Sequence, residues 1–148
     1  ALARIKYGLQ ECLYLGNLES KRDWGHAKDY VIAQWLILQH SKPDDFVVST
    51  GEEYTVRDFV EIVCKQLGIN LVWEGNGLNE KGFDKITGKQ IIGIDKRYIR
   101  PTEVNRLIGN SSKARKELSW KPQINFQELV SEMVDSSVVE AQNEVNKI

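Results

Sequence analysis

The chain has 148 residues, 41% of them hydrophobic and 28% charged, with a formal charge of −1. That length suits one domain with a sizeable core, and the near-neutral balance argues against a nucleic-acid-binding protein, which would be strongly basic. No apolar stretch reaches the roughly 20 residues of a membrane-spanning helix, and Cys12 and Cys64 form no paired-cysteine motif, so both are expected to be buried reduced thiols and not a disulfide or zinc ligands. The opening segment Ala1–Tyr7 lacks the apolar core of a signal peptide, which makes the cytoplasm the expected location.

In chain order, the first residues read as the last turns of a helix stopped at Gly8, so the chain is expected to be a piece of a longer protein. Cys12–Leu15 is an apolar run closed by Gly16-Asn17, a buried strand and turn, and residues 16–25 form a polar loop. From His26 to about Gln39 apolar residues recur at Ala27, Tyr30, Val31, Trp35 and Leu38, which predicts a helix with that stripe against the core. Phe46–Ser49 reads as a strand. Thr55 caps a helix whose apolar face is Val56, Phe59, Val60, Val63 and Leu67, with Asp58 giving an imperfect capping box and Gly68 ending it. Leu71–Trp73 reads as a third strand, so the order strand–helix–strand–helix–strand favours an α/β layer with right-handed crossovers. Segments 81–85 and 91–94 are candidate strands of a hairpin turning at Thr87-Gly88. Residues 95–110 are irregular, and Pro101 holds Arg100 extended. Ser111 or Ser112 starts a short helix to Leu118, Trp120-Lys121-Pro122 is a turn, and Asn125 with Glu128 caps a final helix from Phe126 to about Gln142, leaving 143–148 frayed.

The run Lys21-Arg22-Asp23-Trp24-Gly25-His26-Ala27-Lys28-Asp29-Tyr30 places a guanidinium at a loop–helix junction, where an anion is met by both the side chain and the helix N-terminus. It resembles the Arg-Asp-aromatic-x-His-x-x-Asp segment of the extended short-chain dehydrogenase/reductases that act on nucleotide sugars. Leu15-Gly16-Asn17-Leu18 before it and Arg100-Pro101-Thr102-Glu103-Val104 downstream look, within that group, most like the GDP-mannose 4,6-dehydratase family. The resemblance covers nearly the whole chain. It implies a small mixed α/β fold, the substrate-binding part of a Rossmann-type enzyme, with 1–148 forming a C-terminal fragment that lacks the N-terminal cofactor-binding half. It further implies that Arg22 and Arg100 grip the diphosphate of GDP-mannose, that Glu103 holds the ribose, and that Leu15, Gly16 and Asn17 lie along the base. A planar fork donor suits a phosphate, and a carboxylate can accept from both hydroxyls of a ribose diol.

The reaction so implied is dehydration of GDP-mannose to a 4-keto-6-deoxy sugar, with bound NADP lending and recovering a hydride. The family's Tyr-x-x-x-Lys pair does not occur here, and Gly75-Asn76-Gly77 lacks the third glycine and the strand–helix setting of a dinucleotide fingerprint. Catalytic and cofactor residues are therefore expected outside this chain, and the isolated fragment is expected to be inactive. The complete enzyme is expected to be a homo-oligomer, dimer or tetramer, and the fragment to expose an apolar seam where the missing half packs. His26 is read as a cap or brace and Asp29 as a local structural partner. Trp24, Trp35, Trp73 and Trp120 are read as packing residues. A related epimerase or reductase domain, or a non-catalytic nucleotide-binding module, are the alternatives.

Overall fold

The computed structural model describes residues 1–100, 102, 104 and 106–147. Helix α1 (Leu2–Lys6) ends at Tyr7, and Gly8 takes a left-handed φ of +74° that an L side chain would resist. Strand β1 (Leu13–Leu15), strand β2 (Lys21–Arg22) and helix α2 (Ala27–Gln39) follow, then β3 (Tyr54–Thr55), α3 (Val56–Gln66), β4 (Leu71–Glu74), β5 (Lys81–Asp84), β6 (Gln90–Ile94), β7 (Arg106–Leu107), α4 (Ser112–Glu117) and α5 (Phe126–Val145). Short 3-10 turns cover Gly77–Asn79 and Lys96–Tyr98. Both capping boxes are complete: Thr55 and Asp58 exchange bonds at the start of α3, and Asn125 and Glu128 at the start of α5.

Two sheets result. One has the order β1-β6-β5-β4, with β1 and β6 parallel and the remaining pairs antiparallel. The other has the order β3-β2-β7, with β2 antiparallel to β3 and parallel to β7. The main core lies between the first sheet and helices α1, α3 and α5, around Val60, Val63, Cys64, Ile91, Ile92, Phe126 and Val130. Trp24 reaches into it from the 16–26 loop, with its ring 5.2 Å from that of Phe59, while Tyr54 stacks on Phe126 at 4.0 Å. Such aromatic pairs add about 0.5–1.5 kcal/mol beyond area burial, so they anchor the loop that carries Arg22. A second cluster joins Ala33 of α2 to Ala114, Leu118 and Trp120, with Tyr30, Leu36, Ile37, Phe46 and Val48 around it.

Several sequence expectations are corrected. Phe46–Ser49 is not a strand among the described residues. Its Phe46 and Val48 side chains pack on the second cluster, and its backbone has no ladder partner. Leu71–Trp73 therefore does not extend a parallel layer through 46–49; it belongs to β4, which pairs antiparallel with β5. In α2 most of the expected core stripe faces outward: Val31, Trp35 and Leu38 are exposed, Leu38 by 81%, while Tyr30 packs on the second cluster as expected and Ala33 is turned fully inward. Apolar residues occupy nearly every side of that helix, so periodicity alone selects the wrong face. Trp35 is accordingly not a packing residue. The polar stretch 16–25 contains β2, and the irregular 95–110 contains β7; two-residue strands leave no periodic signature. Helix α5 continues to Val145, three residues beyond the expected end. Cys64 is buried as expected, and Cys12 only half so.

Candidate functional site

Parallel neighbours β1 and β6 end on the same side of the sheet, with Leu15 opposite Ile94. The segments that leave them, Gly16–Glu19 and Asp95–Arg100, therefore run out side by side, and the amide of Asp95 donates to the Leu15 carbonyl at 2.9 Å. The gap beyond the carboxyl ends of parallel strands is where α/β folds place ligands. Here it is a cavity of about 290 Å³. It is lined by Gly16, Asn17, Leu18 and Glu19 from the segment after β1, by Ile94, Ile99 and Arg100 from the end of β6 and the segment after it, and by Gly77, Leu78 and Glu80. Gly16 is required by contact: a Cβ there would lie 2.3 Å from the Tyr98 carbonyl oxygen. Asn17 folds its carboxamide oxygen onto the Glu19 amide at 2.9 Å, which tightens the turn. Arg57 bridges the two acidic residues of the rim, contacting Glu80 at 2.8 Å and Glu19 at 2.7 Å, with its side chain over the Trp73 ring. These carboxylates, Glu80 foremost, raise the guanidinium's already high pKa further.

The structure brings Gly16, Asn17 and Arg100 to this one cavity. It places Leu15 elsewhere: its side chain packs on the main core and lines an apolar cleft of about 320 Å³ with Leu2, Leu13, Trp24 and Phe59. Arg22 does not line the cavity either. Its Nη1 donates to the Val104 carbonyl at 2.9 Å and to the Lys21 carbonyl at 2.7 Å, so it grips the backbone at Val104. Glu103 lies outside the described residues. Lys21 contacts Glu53 at 3.3 Å, and Arg106 contacts the same carboxylate at 2.7 Å; the Arg106 hydrogen bond, with Lys21 behind it, holds the Glu53 carboxyl below its ordinary range.

The remaining motif residues are structural. The ring Nδ1 of His26 accepts from the Lys28 amide at 3.0 Å and caps α2. That leaves Nε2 carrying the hydrogen, 3.2 Å from Glu132 Oε2 on α5. Asp29 is 2% exposed and accepts from the amides of Gln123 and Ile124, both at 3.0 Å, while its own carbonyl accepts from Trp120 Nε1 at 2.9 Å. It ties α2 to the turn before α5. Sequence reasoning missed Asp23, whose carboxylate meets four donors on two distant segments, because partners so far along the chain leave no local signal. It also missed the Arg57–Glu19–Glu80 bridge.

Gly75-Asn76-Gly77 leads from β4 into a three-residue 3-10 turn, so no α-helix N-terminus stands there to receive a pyrophosphate. These residues do not fit a dinucleotide. Among the described residues no group of three or more His, Cys, Asp or Glu side chains could hold a metal ion, and no helix is long and apolar enough to cross a membrane.

Comparison with known proteins gives a consistent result. A protein named GDP-mannose 4,6 dehydratase from Cricetulus griseus is 53% identical over 138 residues, covering 93% of this chain and 37% of that relative. One from Vibrio cholerae is 48% identical over 151 residues, covering 95% of this chain and 41% of its own length. The chain thus spans about two-fifths of the curated relatives it matches. Among solved structures, RMD from Pseudomonas aeruginosa, complexed with NADPH, superposes with a TM-score of 0.71 at 20% identity, over 94% of this chain and 40% of that one, which establishes the shared α/β fold. The model of the family described as GDP-mannose 4,6 dehydratase matches residues 1–133, and the chain belongs to that family.

Proposed function

We propose that residues 1–148 are the C-terminal, nucleotide-sugar-binding part of a GDP-mannose 4,6-dehydratase, and that NADP and the catalytic side chains belong to residues outside this chain. The observation that carries the reading is the cavity beyond β1 and β6, which Gly16, Asn17 and Arg100 line together with the apolar Leu18, Leu78, Ile94 and Ile99. Leu78, Ile94 and Ile99 offer apolar surface to a flat base. Arg100 presents a fork donor at the mouth, where a diphosphate would lie. Arg22 acts from behind, holding the Val104 backbone, and Glu103 completes the same run as the ribose acceptor. The family match, together with relatives named GDP-mannose 4,6-dehydratase, supplies the substrate: GDP-mannose, converted to its 4-keto-6-deoxy derivative. The solved NADPH complex of RMD supports a nicotinamide cofactor for the complete enzyme. A homo-oligomer, a cytoplasmic location and an inactive isolated fragment belong to the same reading.

Calorimetric titration of the full-length protein with GDP, UDP and ADP tests it. GDP should bind most tightly. Arg100→Lys should weaken GDP by about 1.5–3 kcal/mol, roughly 10- to 150-fold, the worth of hydrogen bonds to charged groups, and Arg22→Ala should weaken it indirectly, through loss of the hold on the Val104 backbone. Equal affinity for the three nucleotides removes the base slot, and an Arg100→Lys variant with wild-type affinity removes fork recognition.

A further inference from the structure

We propose that Asp23 is a positioning residue: its carboxylate sets the register of the segment that carries Arg100 against the strand that carries Arg22. The inference rests on the reading of the site given above and concerns a residue to which that reading assigns nothing.

Both carboxylate oxygens are in use. Oδ1 accepts from the Thr50 amide at 2.9 Å and from the Thr50 hydroxyl at 2.6 Å. Oδ2 accepts from the Gly51 amide at 2.9 Å and from the Gly109 amide at 3.4 Å. Asp23 directly follows β2, the middle strand of the order β3-β2-β7. Because β7 is parallel to β2, the segment leaving β7 passes the same end. Because β3 is antiparallel, the segment entering β3 passes it too. One side chain therefore closes the end of the sheet at which all three strands meet.

The ladders themselves are short, two residue pairs on each side of β2. Such a ladder specifies its register weakly, and a slip of one residue would move the chain by about 3.3 Å and turn each side chain to the other face. The side chains of Arg22 and Asp23 remove that freedom. Arg22 holds the Val104 carbonyl before β7, and Asp23 holds the Gly109 amide after it. Arg100 lies four residues ahead of the first of these clamps, so its guanidinium inherits their register.

The donors are built to approach. Gly51 has φ +81°, and a Cβ on Gly109 would sit 2.4 Å from the Ser49 side chain. The 49–51 turn is braced from its far side, where Arg115 donates to the Thr50 carbonyl at 2.7 Å and the Ser111 hydroxyl to the Ser49 carbonyl at 2.9 Å. The turn is thus a fixed post to which Asp23 ties the chain at Gly109, just beyond β7. Only a carboxylate offers acceptors at both oxygens; an amide would aim N–H groups at two of the four donors.

The test uses the full-length protein with Asp23→Asn, Asp23→Glu and Thr50→Val, the last removing a single donor as the milder change. Two readouts are taken: amide hydrogen exchange across residues 104–110 against that of α5, and GDP affinity. Asp23→Asn should lose at least tenfold protection in 104–110 with α5 unchanged, weaken GDP at least tenfold, and recover partly in Asp23→Glu; Thr50→Val should weaken GDP two- to fivefold. A general structural role would instead raise exchange in α5 as well. Unchanged protection in 104–110, or wild-type GDP affinity in both Asp23→Asn and Thr50→Val, overturns the proposal. If the wild-type protein ignores GDP, the function reading fails by itself, and the exchange readout still decides whether Asp23 sets the register.

Discussion

Replacing Asp29 with Ala should cost stability and leave nucleotide affinity alone, although Asp29 sits in the motif that points to the family. In the fold its carboxylate is 2% exposed and accepts two backbone amides, from Gln123 and Ile124, each at 3.0 Å. Each hydrogen bond to a charged group is worth about 1.5–3 kcal/mol. Gln123 is exposed, so water can recover part of one bond once the carboxylate is gone. The expected loss is therefore about 2–4 kcal/mol, below the sum of two full bonds. For a chain of this size each kcal/mol moves Tm by about 2–4 °C, so Asp29→Ala should melt about 5–15 °C lower, and Asp29→Asn, which keeps one acceptor oxygen, by less than half of that. Circular dichroism at 222 nm gives the melt, and a GDP titration well below Tm gives the affinity. A Tm within 2 °C of wild type would refute the reasoning about the two amides. A tenfold loss of GDP affinity in the folded variant would show that Asp29 serves the ligand directly.

Three other outcomes are expected. Gly16→Ala should weaken GDP at least tenfold, since its Cβ would sit 2.3 Å from the Tyr98 carbonyl and push away the segment that presents Arg100; unchanged affinity in a calorimetric titration would show that this segment yields freely. Burial pushes the Cys64 thiol up to about 12, so a thiol reagent at pH 8 should leave Cys64 unmodified in the folded protein and label it on denaturation, as read by mass spectrometry; rapid native labelling would contradict its burial. Acid should destabilise the fold through depressed carboxyls: Asp84 is held low by the Ile86 amide and the Thr87 hydroxyl, Asp95 by Arg97, and Glu53 by Arg106. Their folded values lie below those of the unfolded chain, so this stability is present above about pH 4–4.5 and is lost as pH falls through the folded values. Tm should hold from pH 7 to 5 and drop below 4, and Asp84→Asn should flatten that drop; a Tm unchanged down to pH 3 would remove these groups from the account.

Helix α3 was fully legible because every local cue agrees: a Thr55–Asp58 box, an apolar face at Val56, Phe59, Val60 and Val63, and Gly68 beyond its end. The 81–94 hairpin and the Asn125–Glu128 cap were legible for the same reason. Helix α2 was legible as a helix but not in its orientation, since Tyr30, Val31, Ile32, Ala33, Trp35, Leu36, Ile37 and Leu38 leave no polar side to exclude. Phe46–Ser49 has the composition of a strand, and composition cannot supply the partner that makes one. Of the candidate site, the residue types and the motif words could be read directly; Arg22's hold on Val104, Leu15's turn towards the core and Asp23's four donors could not.

What the chain determined by itself was its family, its capped helices and the chemistry available to it, because caps, turns and motif words act over three to ten neighbouring residues. Only the tertiary structure decided which of those groups share a cavity. Gly16 and Arg100 meet because β1 and β6, far apart along the polymer, lie parallel and end together, and that pairing is an energy of contact between distant segments that no local pattern records.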